Sequence, residues 1–261
     1  MPPTKTRRRN SAARHELPPP LPPETRTVGQ VVAETIRTYQ RNPWRSLAIG
    51  ILPGLVGVAA AEFTRWEALG FSILVGAPVF TLSYLLACGL VAGVAVRGPT
   101  GRRAFVSGVL VFLPFPLLAS LFLLPGLVWF GFFGLVVPAV LVEGRSIRDG
   151  FRRARELGGA DFGHMLGGLV TLGVLVVLSQ GVVFFLLRGF AEAAARTSAL
   201  LAGIVLTPVL FLGTAVLYGD QVARVGSKGR RSRRRDADLP DADNAHGEGR
   251  PDSQVESGPS A

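Results

Sequence analysis

Residues 104–142 read AFVSGVLVFLPFPLLASLFLLPGLVWFGFFGLVVPAVLV, 39 positions without a single charged side chain. A single helix of that length would measure about 58 Å, nearly twice the roughly 30 Å hydrocarbon core of a bilayer. The run therefore has to fold back on itself. Pro125-Gly126 is the natural place, because proline interrupts the helical hydrogen-bond ladder and glycine permits the reversal. That reading predicts one span over 102–124 and a second over 127–143.

The rest of the chain follows the same logic. It has 261 residues, 48% of them hydrophobic, a mean hydropathy of +0.37 and a formal charge of +10, which a soluble domain could reconcile only by segregation. Four further uncharged runs stand at 46–61, 68–96, 165–187 and 197–219. Runs of about 18 or more apolar residues are membrane-span candidates, and the 16-residue first run reaches that length once Trp44, Arg45 and Phe63 to Trp66 sit at the headgroups. The expected fold is an all-α, polytopic membrane helical bundle. Its spans fall at 45–63, 68–96, 102–124, 127–143, 165–187 and 197–219, with two amphipathic interfacial helices besides. Cys88 has no partner, so an intrachain disulfide is excluded. Arg7 to Arg9 resemble the basic start of a signal peptide, but a Pro-rich segment follows instead of an apolar one, and the first span is expected to act as an uncleaved insertion signal.

Charge sets the expected threading. Of the 28 Lys and Arg residues, 25 fall on one side of a six-span topology and three, Arg65, Arg188 and Arg196, on the other. The positive-inside rule then puts both termini in the cytoplasm. Trp44, Trp66 and Trp129 fall at expected interfaces, where amphipathic rings prefer to lie.

Residues 1–26 form a Pro- and Arg-rich arm that cannot bury a core. Over 27–42 the apolar positions Val28, Val31, Val32, Ile36 and Tyr39 share one helical face opposite Gln30, Glu34, Arg37 and Arg41, and Thr27 with Gln30 has capping-box spacing. Residues 146–158 repeat the design, with Ser146 and Asp149 at capping spacing, an apolar face through Ile147, Phe151, Ala154 and Leu157, and Gly158-Gly159 as the stop. Thr27 and Ser146 each begin an amphipathic helix followed by two spans, which suggests a parallel internal duplication with spans three and four inserted. Beyond residue 225 a basic and then acidic tail, 226–261, is expected to be disordered. Arg224 to Arg235 hold seven basic residues that favour anionic lipid headgroups at about 1 kcal/mol each. Nucleic acid is not an expected partner; a membrane or cytoplasmic protein is.

Candidate chemistry is sparse. The histidines are His15, His164 and His246, too scattered for a zinc site or a His-based dyad, and no Gly-rich phosphate loop follows a strand, so no cofactor, metal or enzymatic activity is expected. Within the spans the polar positions Thr81, Ser83, Gln180 and Thr207 stand out. They either line a polar seam for a solute between spans two, five and six, or bond back to their own helices. Glu143 is the one acid placed immediately at the end of a span amid a basic surface, and pairing with Arg145 or Arg148 is expected.

The segments TVGQVVAETIRTYQRNPWRSL and LLPGLVWFGFFGLVVPAVLVEGRSIRDGFRRARELGGADF resemble the bacterial six-span family related to the membrane domain of glycerophosphoryl diester phosphodiesterases. The likeness covers about 27–225 and is most specific at Pro138, Glu143, Gly144 and the basic helix that follows. It implies a stand-alone domain of the bacterial inner membrane, carries over no catalytic residue, and leaves no room for the family's soluble barrel of roughly 250 residues. Three functions follow as expectations: a non-enzymatic protein acting through lipid or partner contacts, a transporter or permease subunit, or an anchor for a separately encoded lipid-phosphodiester enzyme.

Overall fold

The structure, a computed structural model, describes residues 22–121, 123–187 and 192–237. Most of the 1–26 arm and the acidic tail from 238 lie outside the described residues. Among the described residues the chain is all-α, and six stretches are long and apolar enough to cross a membrane: Pro43–Ala60, Arg65–Ala92, Gly98–Leu121, Leu124–Glu143, Phe162–Leu187 and Arg196–Arg230. It is a multi-pass membrane helical bundle.

Helix α1 (Val28–Arg41) opens with the Thr27–Gln30 capping box, and Asn42 hands the chain directly to α2 (Pro43–Ala60), where Pro43 takes the first-turn position that tolerates a missing N–H. Span two is α3 (Arg65–Phe71), a π-helical turn over Ser72–Gly76 and α4 (Ala77–Ala92). Gly93, at φ 67°, ends it in the left-handed conformation that glycine adopts without penalty.

The long uncharged run breaks in three places rather than one. Helix α5 (Gly98–Phe112) stops before Pro114, α6 (Phe115–Leu121) completes the first pass, and α7 (Leu123–Phe133) and α8 (Val136–Glu143) return. The reversal therefore precedes Leu123, ahead of the expected Pro125-Gly126. Pro125 lies in the first turn of α7, where its missing N–H costs nothing, and Gly126 brings the two arms of the hairpin together, a Cβ there falling 3.3 Å from Ala119. Trp129, expected at an interface, turns inward: its indole N–H donates to the Val111 carbonyl at 2.9 Å, next to the bend at Pro114 that leaves helical carbonyls without donors.

Helix α8 is the most enclosed element, with Leu135 to Val140 fully or almost fully buried. Gly144, at φ 66°, turns the chain into α9 (Ile147–Ala160), capped by Ser146, whose Oγ accepts the Asp149 N–H. This helix runs through Gly158-Gly159 instead of ending there. Gly158 is used for its smallness, since a Cβ would sit 3.3 Å from the Gly131 carbonyl oxygen. Helices α10 (Phe162–Leu187) and α11 (Glu192–Ala237) complete the bundle, and α11 packs on α2, α10, α4 and α1.

The closest crossing in the bundle is between α2 and α11. Pro208 has no N–H for the Ile204 carbonyl, and that oxygen lies where a Cβ on Gly50 would be, at 2.1 Å. Gly54 and Gly203 continue the approach: a Cβ at Gly203 would stand 3.3 Å from the Gly54 Cα. Of the small-residue pairs in the sequence, Gly50 and Gly54 make an interhelical seam, whereas Gly163 faces open space.

Candidate functional site

Two features of the bundle bring chemistry together, one at the end where the basic residues gather and one at the opposite end.

At the basic end, Glu143 is the centre of a network. Its carboxylate accepts from the Arg145 side chain, from Arg153 Nε at 3.3 Å and from the Tyr218 hydroxyl at 2.7 Å. The bond to Glu143 also pushes the Arg145 guanidinium above its ordinary pKa. Glu143 thus pairs with Arg145, as one of its two expected partners, while Arg148 is exposed and acts as a nearby charge on Asp149. The Ser146 hydroxyl donates to Asp149 at 2.7 Å and holds that carboxyl below the usual carboxylate range, which suits an anion in the first turn of α9. Sequence reasoning missed Arg153 and Tyr218. Arg153 is ten residues from Glu143 on the helix that folds back, and Tyr218 is 75 residues away on α11.

Beside this lies a second pair of bridges. Asp220, whose side chain is fully buried, accepts from Arg26 at 2.9 Å, and Arg224 binds Asp161 at 2.8 Å while also donating to the Arg26 carbonyl. The lead-in to α1, the loop before α10 and the end of span six are thereby tied into one node. Arg224, expected on headgroups together with the residues up to Arg235, is instead largely withdrawn into the protein, its side chain 18% exposed. The basic run continues as helix through Ala237. A charge count along the sequence could have flagged Asp220 as the acid at the end of span six, mirroring Glu143 at the end of span four.

At the opposite end, a cavity of about 660 Å³ opens between α2, α10 and α11. Its floor is aromatic: Phe112, Phe130 and Phe211 meet at ring separations of 5.4 to 6.1 Å, with Phe80 and Phe115 at the side. Tyr84, fully buried, touches the three floor rings from the other side at 5.8 to 6.0 Å. Gln180 and Thr207 are polar points in the walls, and at the mouth Arg196 pairs with Glu62 at 3.0 Å, both about half exposed. The expected seam is only partly assembled. Gln180 and Thr207 face this space together, but Thr81 and Ser83 are buried elsewhere in the bundle, Thr81 against Gly108, where a Cβ would fall 2.4 Å from its Cγ2. Thr81 marks the tight crossing of α4 and α5.

Comparison with protein-family models, with curated proteins and with solved structures yields no match. The functional reading accordingly rests on these two features.

Proposed function

We propose that this chain is a non-enzymatic, multi-pass inner-membrane protein that holds one amphiphilic, membrane-derived molecule between its spans. The observation that carries this reading is the cavity. Its volume, about 660 Å³, lies inside the roughly 300–1,000 Å³ typical of small-molecule sites, and its lining is dominated by aromatic and aliphatic side chains with a few polar groups. On α11 the lining runs from Arg196 to Phe211, sixteen residues whose rise is about 22 Å of helix. That depth matches the roughly 15 Å of hydrocarbon in one leaflet plus its interfacial layer. An acyl chain entering beside Glu62 and Arg196 would end on the aromatic floor at mid-bundle. The charge asymmetry of the sequence supports an orientation with the basic node in the cytoplasm and the mouth in the outer leaflet.

The test is co-purification. Wild-type protein extracted in mild detergent should carry a lipid-derived amphiphile detectable by mass spectrometry. Gly57→Leu should displace it, because Gly57 lines the cavity and a Cβ there meets nothing within 4 Å, so the larger side chain fills space without strain. An empty wild-type protein, or a filled variant that carries as much amphiphile as wild type, overturns the proposal.

A further inference from the structure

Resting on the cavity reading above, we infer that the cavity measures acyl chains: Phe112, Phe130 and Phe211 close its inner end and select a single chain of ordinary membrane length over a longer or a shorter one. The three rings come from α5, α7 and α11 and are only 4 to 6% exposed. Phe112 stands 5.4 Å from Phe130 and, edge-on at 89°, 6.1 Å from Phe211, spacings at which aromatic rings attract one another. Tyr84 is fully buried and lies 5.8 to 6.0 Å from each of them, yet it does not line the cavity. The rings therefore have open space on one side and packed protein on the other. Toward the mouth the walls are smaller: α2 and α11 present Gly57, Ala199 and Ala202, and α10 presents Val176 and Val183.

Depth is fixed at both ends. The lining covers sixteen residues on α10, Leu169 to Phe184, and sixteen on α11, Arg196 to Phe211, about 22 Å of rise on each. A polar head stays at the membrane–water boundary, because burying it without partners is costly, so the boundary holds one end of the occupant and the rings stop the other. Bilayer hydrocarbon is as apolar as the cavity wall, and moving a methylene from one to the other gains little by itself. Length is read at the tip instead. A short chain leaves a void over the rings, which then lose dispersion contacts, and a long one has to buckle or force tightly packed rings apart. Phe211 sets the depth, and Thr207, one turn nearer the mouth, lies beside the last stretch of chain.

The experiment offers the detergent-solubilised full chain an equal mixture of lysophosphatidylcholines with lauroyl, palmitoyl and arachidoyl chains and reads the bound lengths by native mass spectrometry. One headgroup is used throughout, so that only length differs. Wild type should be enriched in the palmitoyl adduct. Phe211→Ala lowers the floor and should shift occupancy toward arachidoyl, whereas Thr207→Phe raises it by about 6 Å, one turn, and should shift occupancy toward lauroyl. A merely loosened bundle does not give opposite shifts, and if Phe211→Ala fails to fold, Thr207→Phe probes the same end of the cavity from the other direction. A wild type that binds the three lengths alike, or variants that leave the preference unmoved or move it the same way, overturn the length reading and leave the cavity reading to the Gly57→Leu test. If no chain binds at any length, the cavity reading falls with it.

Discussion

Alanine in place of Gly50 and alanine in place of Gly57 make the same chemical change, two turns apart on α2, and should act in opposite directions. A Cβ on Gly50 would lie 2.1 Å from the Ile204 carbonyl oxygen and 2.8 Å from its carbon, both backbone atoms of α11. A flexible side chain could swing aside, but a helix backbone has to move bodily, which would pry apart the contacts that Gly54 and Gly203 extend. Overpacking typically costs about 1–3 kcal/mol, and an immovable neighbour puts this case at about 3. Alanine's better helix propensity returns about 1 kcal/mol, so Gly50→Ala should lose about 2 kcal/mol. A Cβ on Gly57 meets nothing within 4 Å, so there the propensity gain stands unopposed and the protein should hold or gain up to about 1 kcal/mol. At about 2–4 °C per kcal/mol for a domain of this size, Gly50→Ala should melt about 4–8 °C below wild type and Gly57→Ala at or above it. Thermal melts in a mild detergent, followed by tryptophan fluorescence or by size-exclusion recovery, read both. Equal shifts in the two variants, or a Gly50→Ala protein as stable as wild type, would refute the backbone contact between spans one and six.

Three further outcomes follow from the basic end and the threading. Tyr218→Phe deletes a 2.7 Å hydrogen bond to the Glu143 carboxylate and should cost about 1.5–3 kcal/mol in the same melts; an unchanged melting point would dismiss the bond. Asp220→Ala removes a fully buried carboxylate from Arg26, itself 17% exposed, and should cost about 3 kcal/mol, with faster tryptic cleavage at Arg37 and Arg41 as α1 comes loose; wild-type cleavage kinetics would show that the bridge does not hold α1. Because native Cys88 is 1% exposed, single cysteines at Arg148 and Arg230 can be labelled against little background, and both should react from the cytoplasmic side; reaction from the periplasm would invert the threading.

How much of this was legible in the sequence depends on the range of the interaction. The helical spans could be read because apolar length and the roughly 30 Å of hydrocarbon constrain each other locally. The Thr27 and Ser146 starts could be read because capping spans only three residues. The reversal falls ahead of the expected Pro125-Gly126 because Pro125 occupies a first turn, where a missing N–H is tolerated, and the bend within the uncharged run falls at Pro114. Gly158-Gly159 lies within α9 although the sequence points to a stop, because a glycine that gives room to a neighbouring backbone is indistinguishable, in one sequence, from a glycine that ends a helix. Partners of Glu143 on its own side of the chain were half visible. Tyr218 was not, since nothing local couples positions 75 residues apart. The cavity was not visible either, because its floor is built from phenylalanines of three different helices.

The two ends of the bundle share one surface of α11. Thr207, Phe211, Thr214, Tyr218 and Gln221 recur every three or four residues, the spacing that keeps side chains on a single helical face. Thr207 and Phe211 line the cavity. Thr214 is buried and returns its hydroxyl to the Leu210 carbonyl at 2.8 Å. Tyr218 reaches Glu143. Tyr84 bridges the gap from α4, its ring against Phe211 on the cavity side. A side chain that fills the cavity therefore presses on the same face that delivers Tyr218 to the basic node, and Ile204, three residues before Thr207 and seven before Phe211, places the Gly50 contact beside that stripe. Thr207, Thr214, Tyr218 and Gln221 thus form one stripe from the cavity wall to the carboxylate at the far end, while Asp220, on another face of the helix, holds Arg26.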